Sequence, residues 1–277
     1  MGSSCTLRRA AEADRVLDDL RRRSPWILDW SYYITTRGRA LHHLGRFEDE
    51  HRLAIRHHPV ADNLFVRLIA ESRPLAAMGR VNDIMRLIDE ALATAEQPNL
   101  NEGSLMQRAA AELRAHGFES GARQAFARSR AFYERELLSG EQPGVVSWAL
   151  SGTLLNLGEV DSARRVLDGM LARFPRGYRA PGELAIVAAR TGDRGALARF
   201  DSMLAVSGGP LNTFDRSTVL FYRARAAAIA GERERAMAFL RDAVALGVPV
   251  DLDSVHIHQD LHVLRGIPAF DELTRLR

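Results

Sequence analysis

Four residues near the C-terminus have types and a spacing that could bind a metal ion: His256, His258, Asp260 and His262. Imidazole nitrogen and carboxylate oxygen are both zinc ligands, and a zinc site needs three or four of them converging at about 2.0–2.2 Å. The same stretch also belongs to a longer C-terminal sequence pattern that involves no metal. We therefore expect ordinary loop histidines here and no bound metal.

A second histidine group lies in the N-terminal part of the chain and comprises His42, His43, His51, His57 and His58. His43 and His51 flank a turn at Gly45, so their rings could come close together. Two interpretations stay open for this group. Solvent-facing histidines are the expected case, and a pH-sensitive or adventitious metal-binding patch is the alternative.

Several kinds of catalysis are excluded by residues that the chain lacks. The sequence contains no lysine, so all 38 of its basic residues are arginine. A P-loop and a Schiff base both need a lysine, and neither is therefore available. The Gly-x-Ser-x-Gly nucleophile elbow and the zincin motif are also absent, and carboxylate pairs such as Asp18-Asp19 and Asp49-Glu50 fall on predicted helix surfaces. We expect no catalytic residue, no cofactor and no enzyme.

The composition favours helices and sets limits on the setting of the protein. Of 277 residues, 46% are hydrophobic and only 7% are aromatic, and alanine, leucine and arginine predominate. The single cysteine, Cys5, excludes a disulfide within the chain and fits a reducing compartment. No run of 18 apolar residues is present that could span a membrane. We expect a cytoplasmic protein.

Glycine recurs along the chain at intervals of 34 to 41 residues, each time between two helical patterns. These glycines are Gly45, Gly79, Gly117, Gly158, Gly192 and Gly231. The clearest unit covers residues 145–175, and its first helix ends at Gly158. The second helix carries apolar residues on one face up to Phe174, and Pro175 ends it. A period in this range is typical of a helical repeat array.

This unit resembles a tetratricopeptide repeat. In that family a small residue follows the turn glycine by five positions, and then come a large apolar residue, a small residue and a proline. Here those residues are Ala163, Leu167, Met170 and Pro175, with methionine in place of the small residue. The other five units match less completely. After Gly45 the match nearly fails, because Glu50 and Ala54 stand at the first two positions.

The resemblance implies an all-α fold: a right-handed superhelix, or α-solenoid, of about six helical hairpins with an N-terminal half-repeat and a short C-terminal helix. The whole chain, 1–277, is then a single array. Its approximate units are 6–25 (half-repeat), 28–60, 61–98, 102–138, 143–175, 178–208, 213–249 and 250–277 (closing segment). The front segment, with Ala13, Leu17, Leu20 and Pro25 at the repeat spacing, is either the second helix of a repeat whose first helix is missing or a plain capping helix.

The C-terminal sequence from Asp260 to Leu273 resembles the close of many bacterial repeat arrays. In those, an aspartate-rich turn leads to leucine-arginine, and proline and phenylalanine open a final helix. Such arrays often follow a serine/threonine kinase, a cyclase or a winged-helix transcription regulator. The resemblance therefore implies an alternative role as the regulatory or sensor tail of a bacterial signalling protein.

The resemblance also places the partner site in the concave groove that the first helices line in this family. Inward positions are Tyr32, Arg39, Arg73, Gln107, Arg114, Trp148, Asn156, Arg190, Phe221 and Arg225. Guanidinium forks bind carboxylates with two hydrogen bonds, and aromatic rings supply anchoring area. These positions predict a protein or peptide partner that is acidic or presents a free C-terminal carboxylate. Because arginine makes up 38 of 277 residues, an arginine surface without a special purpose is the other interpretation.

A non-catalytic scaffold for protein–protein interaction is therefore the predicted function. Nucleic acid is a disfavoured partner, because the clusters Arg8-Arg9 and Arg21-Arg22-Arg23 are small and 35 acidic residues keep the net charge at +3. A histidine-metal enzyme ranks last. The alternating histidines resemble the metal-binding sequence of the metallo-β-lactamases, but Leu261 separates Asp260 from His262, and the strand pattern of that family's β-sandwich is absent.

Overall fold

The computed structural model describes residues 10–29, 31–56, 64–94, 100–140, 142–207, 211–246, 255 and 257–274. These residues form helices and connecting turns, and none of them lies in a β-strand. The predicted all-α class is confirmed. Among the described helices, none is both long enough and apolar enough to cross a bilayer. Cys5, Arg8-Arg9, His57, His58 and His256 lie outside the described residues.

The chain divides into two compact units, one up to Ala125 and the other from Phe126. The elements of the first unit are α1 (Ala10–Arg23), a 3-10 helix (Pro25–Asp29), α2 (Ser31–His43), α3 (Phe47–Arg56), α4 (Leu64–Ala77), α5 (Val81–Thr94), α6 (Leu100–Ala115) and the start of α7 (Glu119–Ser139). Helix α4 packs against both α2 and α6, so the first helices of successive hairpins form one layer. The second helices, α3 and α5, alternate with them along the chain.

The second unit begins within α7 and repeats the same arrangement. Its further elements are α8 (Pro143–Leu157), α9 (Val160–Arg173), α10 (Arg179–Arg190), α11 (Ala196–Ser207), α12 (Thr213–Ile229), α13 (Arg233–Leu246), a 3-10 helix (Gln259–Leu264) and α14 (Pro268–Thr274). Here α10 packs against both α8 and α12, and the short 3-10 helix near the C-terminus packs against α12.

The six repeating glycines end the first helix of each hairpin in one and the same way. At Gly158, φ is 84°, a left-handed conformation that costs a side-chain-bearing residue free energy. The Gly158 N–H donates to the Leu155 carbonyl at 3.2 Å, and the Glu159 N–H donates to the Leu154 carbonyl at 2.9 Å. All six glycines have φ between 70° and 87° and the same two hydrogen bonds. This Schellman motif satisfies the last carbonyls of the helix and turns the chain into its partner.

The repeat positions form the contacts between the paired helices. Ala163 and Leu167 are both fully buried, and Ala236 and Leu240 are buried in the same way. Glu50 occupies the position equivalent to Ala163, yet its carboxylate is also buried, with 2% of the residue exposed. An ionised carboxylate in such a place needs partners that replace the water it has lost.

Candidate functional site

A cavity of about 210 Å³ lies between helices α2, α3, α4 and α6 of the N-terminal unit. Its charged lining consists of three arginines and one glutamate, and the rest of the lining is mainly apolar. The lining residues are Ile34, Thr35, Gly38 and Arg39 from α2; Glu50, Leu53 and Ala54 from α3; Ile69, Ala70 and Arg73 from α4; and Arg108 from α6. We call this the arginine cavity.

Glu50 organises one wall of the arginine cavity. The Arg73 Nε atom donates to Glu50 Oε1 at 2.6 Å, and His42 Nδ1 lies 2.8 Å from Glu50 Oε2. All three side chains are buried. Gly38 leaves the room for this pair, since a Cβ atom there would lie 3.0 Å from Arg73 Nη2. Arg73, predicted as a partner-binding residue, therefore has an internal carboxylate partner, and Arg39 lines the same cavity beside it.

In the C-terminal unit, two other predicted groove residues share one carboxylate. Arg190 Nη2 lies 2.7 Å from Asp260 Oδ1, and Arg225 Nε and Nη2 both lie 2.9 Å from Asp260 Oδ2. The guanidinium of Arg225 also lies 3.5 Å from Glu183 Oε1. We call Glu183, Arg190, Arg225 and Asp260 the Asp260 cluster. Burial alone would raise the pKa of Asp260, but Arg225 and Arg190 lower it to about 2, so the carboxylate is ionised at neutral pH.

His258 and His262 are the described histidines beside Asp260 in the chain. The His258 ring lies 5.0 Å from the Phe221 ring in an edge-on contact. Burial, reinforced by Arg225, lowers the pKa of His258 to about 3, so the imidazole is neutral. His262 Nε2 lies 3.0 Å from Arg265 Nη2. Asp260 belongs to the stretch that was considered as a metal site from its sequence. In the structure its carboxylate thus pairs with Arg190 and Arg225 of the first-helix layer.

Trp148 belongs to an aromatic cluster in the same unit. Its indole N–H donates to the Tyr222 hydroxyl at 3.1 Å, and the Arg179 guanidinium stacks 4.7 Å from the Trp148 ring. The Tyr222 ring is buried against α10, where a Cβ atom at Gly182 would lie 2.5 Å from it. Burial raises the pKa of Tyr222 and keeps its hydroxyl protonated. Trp148 itself stays half-buried.

The remaining predicted residues are spread over both units. Arg114 donates to both carboxylate oxygens of Glu119 at 2.9 Å and lowers the pKa of that carboxyl. Asn156 donates to the Gly152 carbonyl at 2.9 Å, and Gln107 is half-buried on α6. Tyr32 is part of α2, but its side chain lies outside the described ones.

The structure thus brings four of the ten predicted residues together in pairs: Arg39 and Arg73 in the arginine cavity, and Arg190 and Arg225 around Asp260. Sequence reasoning missed Glu50 and Arg108. A signal for Glu50 was present, because a glutamate stood where the repeat pattern expects a small residue. Arg108 gave no such signal, because one arginine among 38 in the sequence is not distinctive.

Comparison with known proteins establishes the class of the fold. No family model and no curated protein matches the chain. A crystal structure of a tetratricopeptide repeat protein from Parabacteroides merdae ATCC 43184 is similar, with a TM-score of 0.50, 13% sequence identity and 92% of each chain covered. The chain therefore has an all-α helical repeat fold like that of a tetratricopeptide repeat protein, and at this identity the likeness extends to the fold alone.

Proposed function

We propose that this chain is a non-catalytic protein-interaction scaffold, and that the arginine cavity binds an acidic side chain or a C-terminal carboxylate of a partner peptide. The observation behind the proposal is the lining of that cavity. Arg39, Arg73 and Arg108 surround it together with one internal carboxylate, Glu50. The formal charge of the lining is therefore positive, and it favours an anionic group.

The size and the walls of the cavity fit a single side chain or a chain end. Its volume of about 210 Å³ lies below the roughly 300–1,000 Å³ of ordinary small-molecule sites. Ile34, Leu53 and Ile69 supply an apolar surface next to the guanidinium groups. Hydrogen bonds between a guanidinium and a carboxylate are stronger where water is excluded. A partner peptide with an acidic residue next to an apolar residue would contact both the guanidinium groups and this apolar surface.

The Asp260 cluster gives internal support for this binding mode. Arg39, Arg73 and Arg225 each precede their turn glycine by six residues, so they hold equivalent repeat positions. Arg225 binds the carboxylate of Asp260 with two hydrogen-bond distances of 2.9 Å. An arginine at this position of the hairpin can therefore reach a carboxylate that lies on the first-helix layer.

The test is the binding of fluorescent peptides that differ only in their acidic residues or in an amidated C-terminus. We expect Arg39→Glu to weaken the binding of acidic peptides about tenfold to a hundredfold, the loss expected for one hydrogen bond to a charged group. Arg86→Glu is the control, because Arg86 lies on the second helix α5 with an exposed side chain. Far-UV circular dichroism checks that both variants keep their helicity.

Two results would contradict the proposal. One is equal binding of acidic peptides and of their amide counterparts by the unchanged protein. The other is equal loss of binding in Arg39→Glu and Arg86→Glu, which would indicate attraction by the total charge rather than by the cavity.

A further inference from the structure

We propose that His42, Glu112 and His116 form a binding site for a divalent transition-metal ion of the zinc class. We call these three residues the His–Glu cluster. One ligand atom from each lies within 4.8 Å of the other two, and His42 Nε2 is 3.9 Å from Glu112 Oε2. None of the three ligands lines the arginine cavity, and the proposal does not depend on the proposed function.

Two helix ends bring the ligands together. Glu112 and His116 are four residues apart, and the His116 N–H donates to the Glu112 carbonyl at 3.1 Å, so the helical turn of α6 continues through both. Their side chains therefore share one face. His42 is in the last turn of α2. Helix C-termini carry partial negative charge, which favours a cation in the last turn of each helix.

The neighbouring carboxylate orients His42 for this role. Nδ1 of His42 donates to Glu50 Oε2 at 2.8 Å, and Glu50 in turn accepts from Arg73 Nε at 2.6 Å. With its proton on Nδ1, the imidazole presents the lone pair of Nε2 on the side of Glu112 and His116. Metal-binding histidines characteristically donate their second ring nitrogen to a carboxylate in this way, which fixes the tautomer and the direction of the ring.

The surroundings of the cluster make a cation favourable. His42 and Glu112 are buried, with 7% and 2% of their surfaces exposed. The Phe47 ring packs 5.1 Å from the His42 ring and 5.5 Å from the His116 ring. It thereby covers one side of the cluster. A cation held here would be shielded from water on that side, which strengthens its attraction to the Glu112 carboxylate.

The ligand set indicates which ions fit. Two imidazoles and one carboxylate are a combination that zinc uses when it keeps a fourth position for water or another ligand. Tetrahedral ligands at about 2.1 Å from the ion lie about 3.4 Å apart. The three ligand atoms lie within 4.8 Å of one another, so each pair needs to approach by about 1.4 Å or less. Calcium and magnesium prefer six or more oxygen ligands and do not suit this set.

The test is isothermal titration calorimetry. The full chain is first freed of metal with a chelator and is then titrated with Zn²⁺. We expect one equivalent to bind. Glu112→Gln and His116→Ala should each weaken that binding at least tenfold. His51→Ala is the matched control, because His51 belongs to the same histidine-rich region but not to the cluster, and it should bind as the unchanged chain does. Circular dichroism confirms the folding of each variant.

The outcomes separate clearly. One equivalent that is lost in both variants and kept in the control supports the site. Absence of saturable binding, or equal affinity in the variants and the unchanged chain, overturns it. Should a variant misfold, X-ray absorption of the zinc complex of the unchanged chain decides. Two imidazole nitrogens with oxygen ligands support the site, and any other number of imidazoles overturns it.

Discussion

Replacing Asp260 by alanine should strongly destabilise the C-terminal unit. The side chain of Asp260 is 4% exposed, and it lies between the guanidinium groups of Arg190 and Arg225, which are 16% and 9% exposed. Without the carboxylate, these two cations would face each other in a buried place. Glu183 would remain 3.5 Å from Arg225, and Arg190 would keep its hydrogen bond to the Leu155 carbonyl.

The magnitude follows from the geometry and from the pKa of the carboxyl. Lowering the pKa of Asp260 from 3.8 to about 2 corresponds to about 2 kcal/mol for the charge alone. Asp260→Asn, which keeps the shape and removes the charge, should therefore cost about 2 kcal/mol. Asp260→Ala also removes the carboxylate that pairs with both buried guanidinium groups, and removing one partner of a buried ion pair costs about 3–5 kcal/mol.

The assay is equilibrium unfolding of the full chain in urea, followed by far-UV circular dichroism, with amide hydrogen exchange in α10 and α12 as the local readout. Asp242→Ala is the control, because Asp242 is an exposed aspartate on α13 of the same unit. A double-mutant cycle adds Arg190→Met. In the Asp260→Ala background it should cost less than in the unchanged chain, since residues in contact commonly couple by about 0.5–3 kcal/mol.

One result would refute this reasoning. If Asp260→Ala lowers the free energy of unfolding by no more than Asp242→Ala does, within about 0.5 kcal/mol as for ordinary surface changes, the shared carboxylate does not stabilise the unit. Additive effects of Asp260→Ala and Arg190→Met would refute it as well.

Two further predictions concern packing and pH in the same unit. Gly182→Ala should cost about 1–3 kcal/mol, because the new methyl group meets the buried Tyr222 ring at 2.5 Å. Urea unfolding should show no such cost for Gly169→Ala, where the added Cβ has no neighbour within 4 Å. The pKa of His258 is lowered to about 3 in the folded state, so the stability that depends on its neutral form is complete above about pH 6.5 and is lost as the pH falls towards 3. Urea midpoints measured from pH 7 to pH 4 should therefore decline, and His258→Phe should reduce the decline. A flat profile, or an unchanged slope in that variant, would contradict the account. Asp260 should cause a further loss of stability below about pH 3.8, as its carboxyl group becomes protonated towards its folded pKa of about 2.

Much of the fold could be predicted because it depends on local spacing. At each hairpin turn, the N–H of a glycine with positive φ donates to the carbonyl three residues earlier. The N–H of the next residue donates to the carbonyl five residues before itself. The glycines that make these turns are visible in the sequence. Ala163 and Leu167 lie on one helix face because they are four residues apart. The helical hairpins and their buried positions therefore followed from patterns within about 40 residues.

The partners of the polar groups were not open to such reasoning. Several predicted groove arginines bind carboxylates of the chain itself: Arg73 binds Glu50, and Arg190 and Arg225 bind Asp260. An arginine on an inward helix position looks the same in sequence whether it meets a partner or an internal aspartate. The departure of Glu50 from the repeat pattern marked an unusual place, but not what the carboxylate would contact.

Local residue patterns specified the glycine turns that end the first helices and the buried positions Ala163 and Leu167, because those features depend on residues three to five positions apart. Which charged side chains meet depends instead on the tertiary structure. His42 and Glu112 are 70 positions apart, as are Arg190 and Asp260, yet the side chains come within 3.9 Å and 2.7 Å. Those distances depend on how successive helices stack, which no pattern of neighbouring residues specifies.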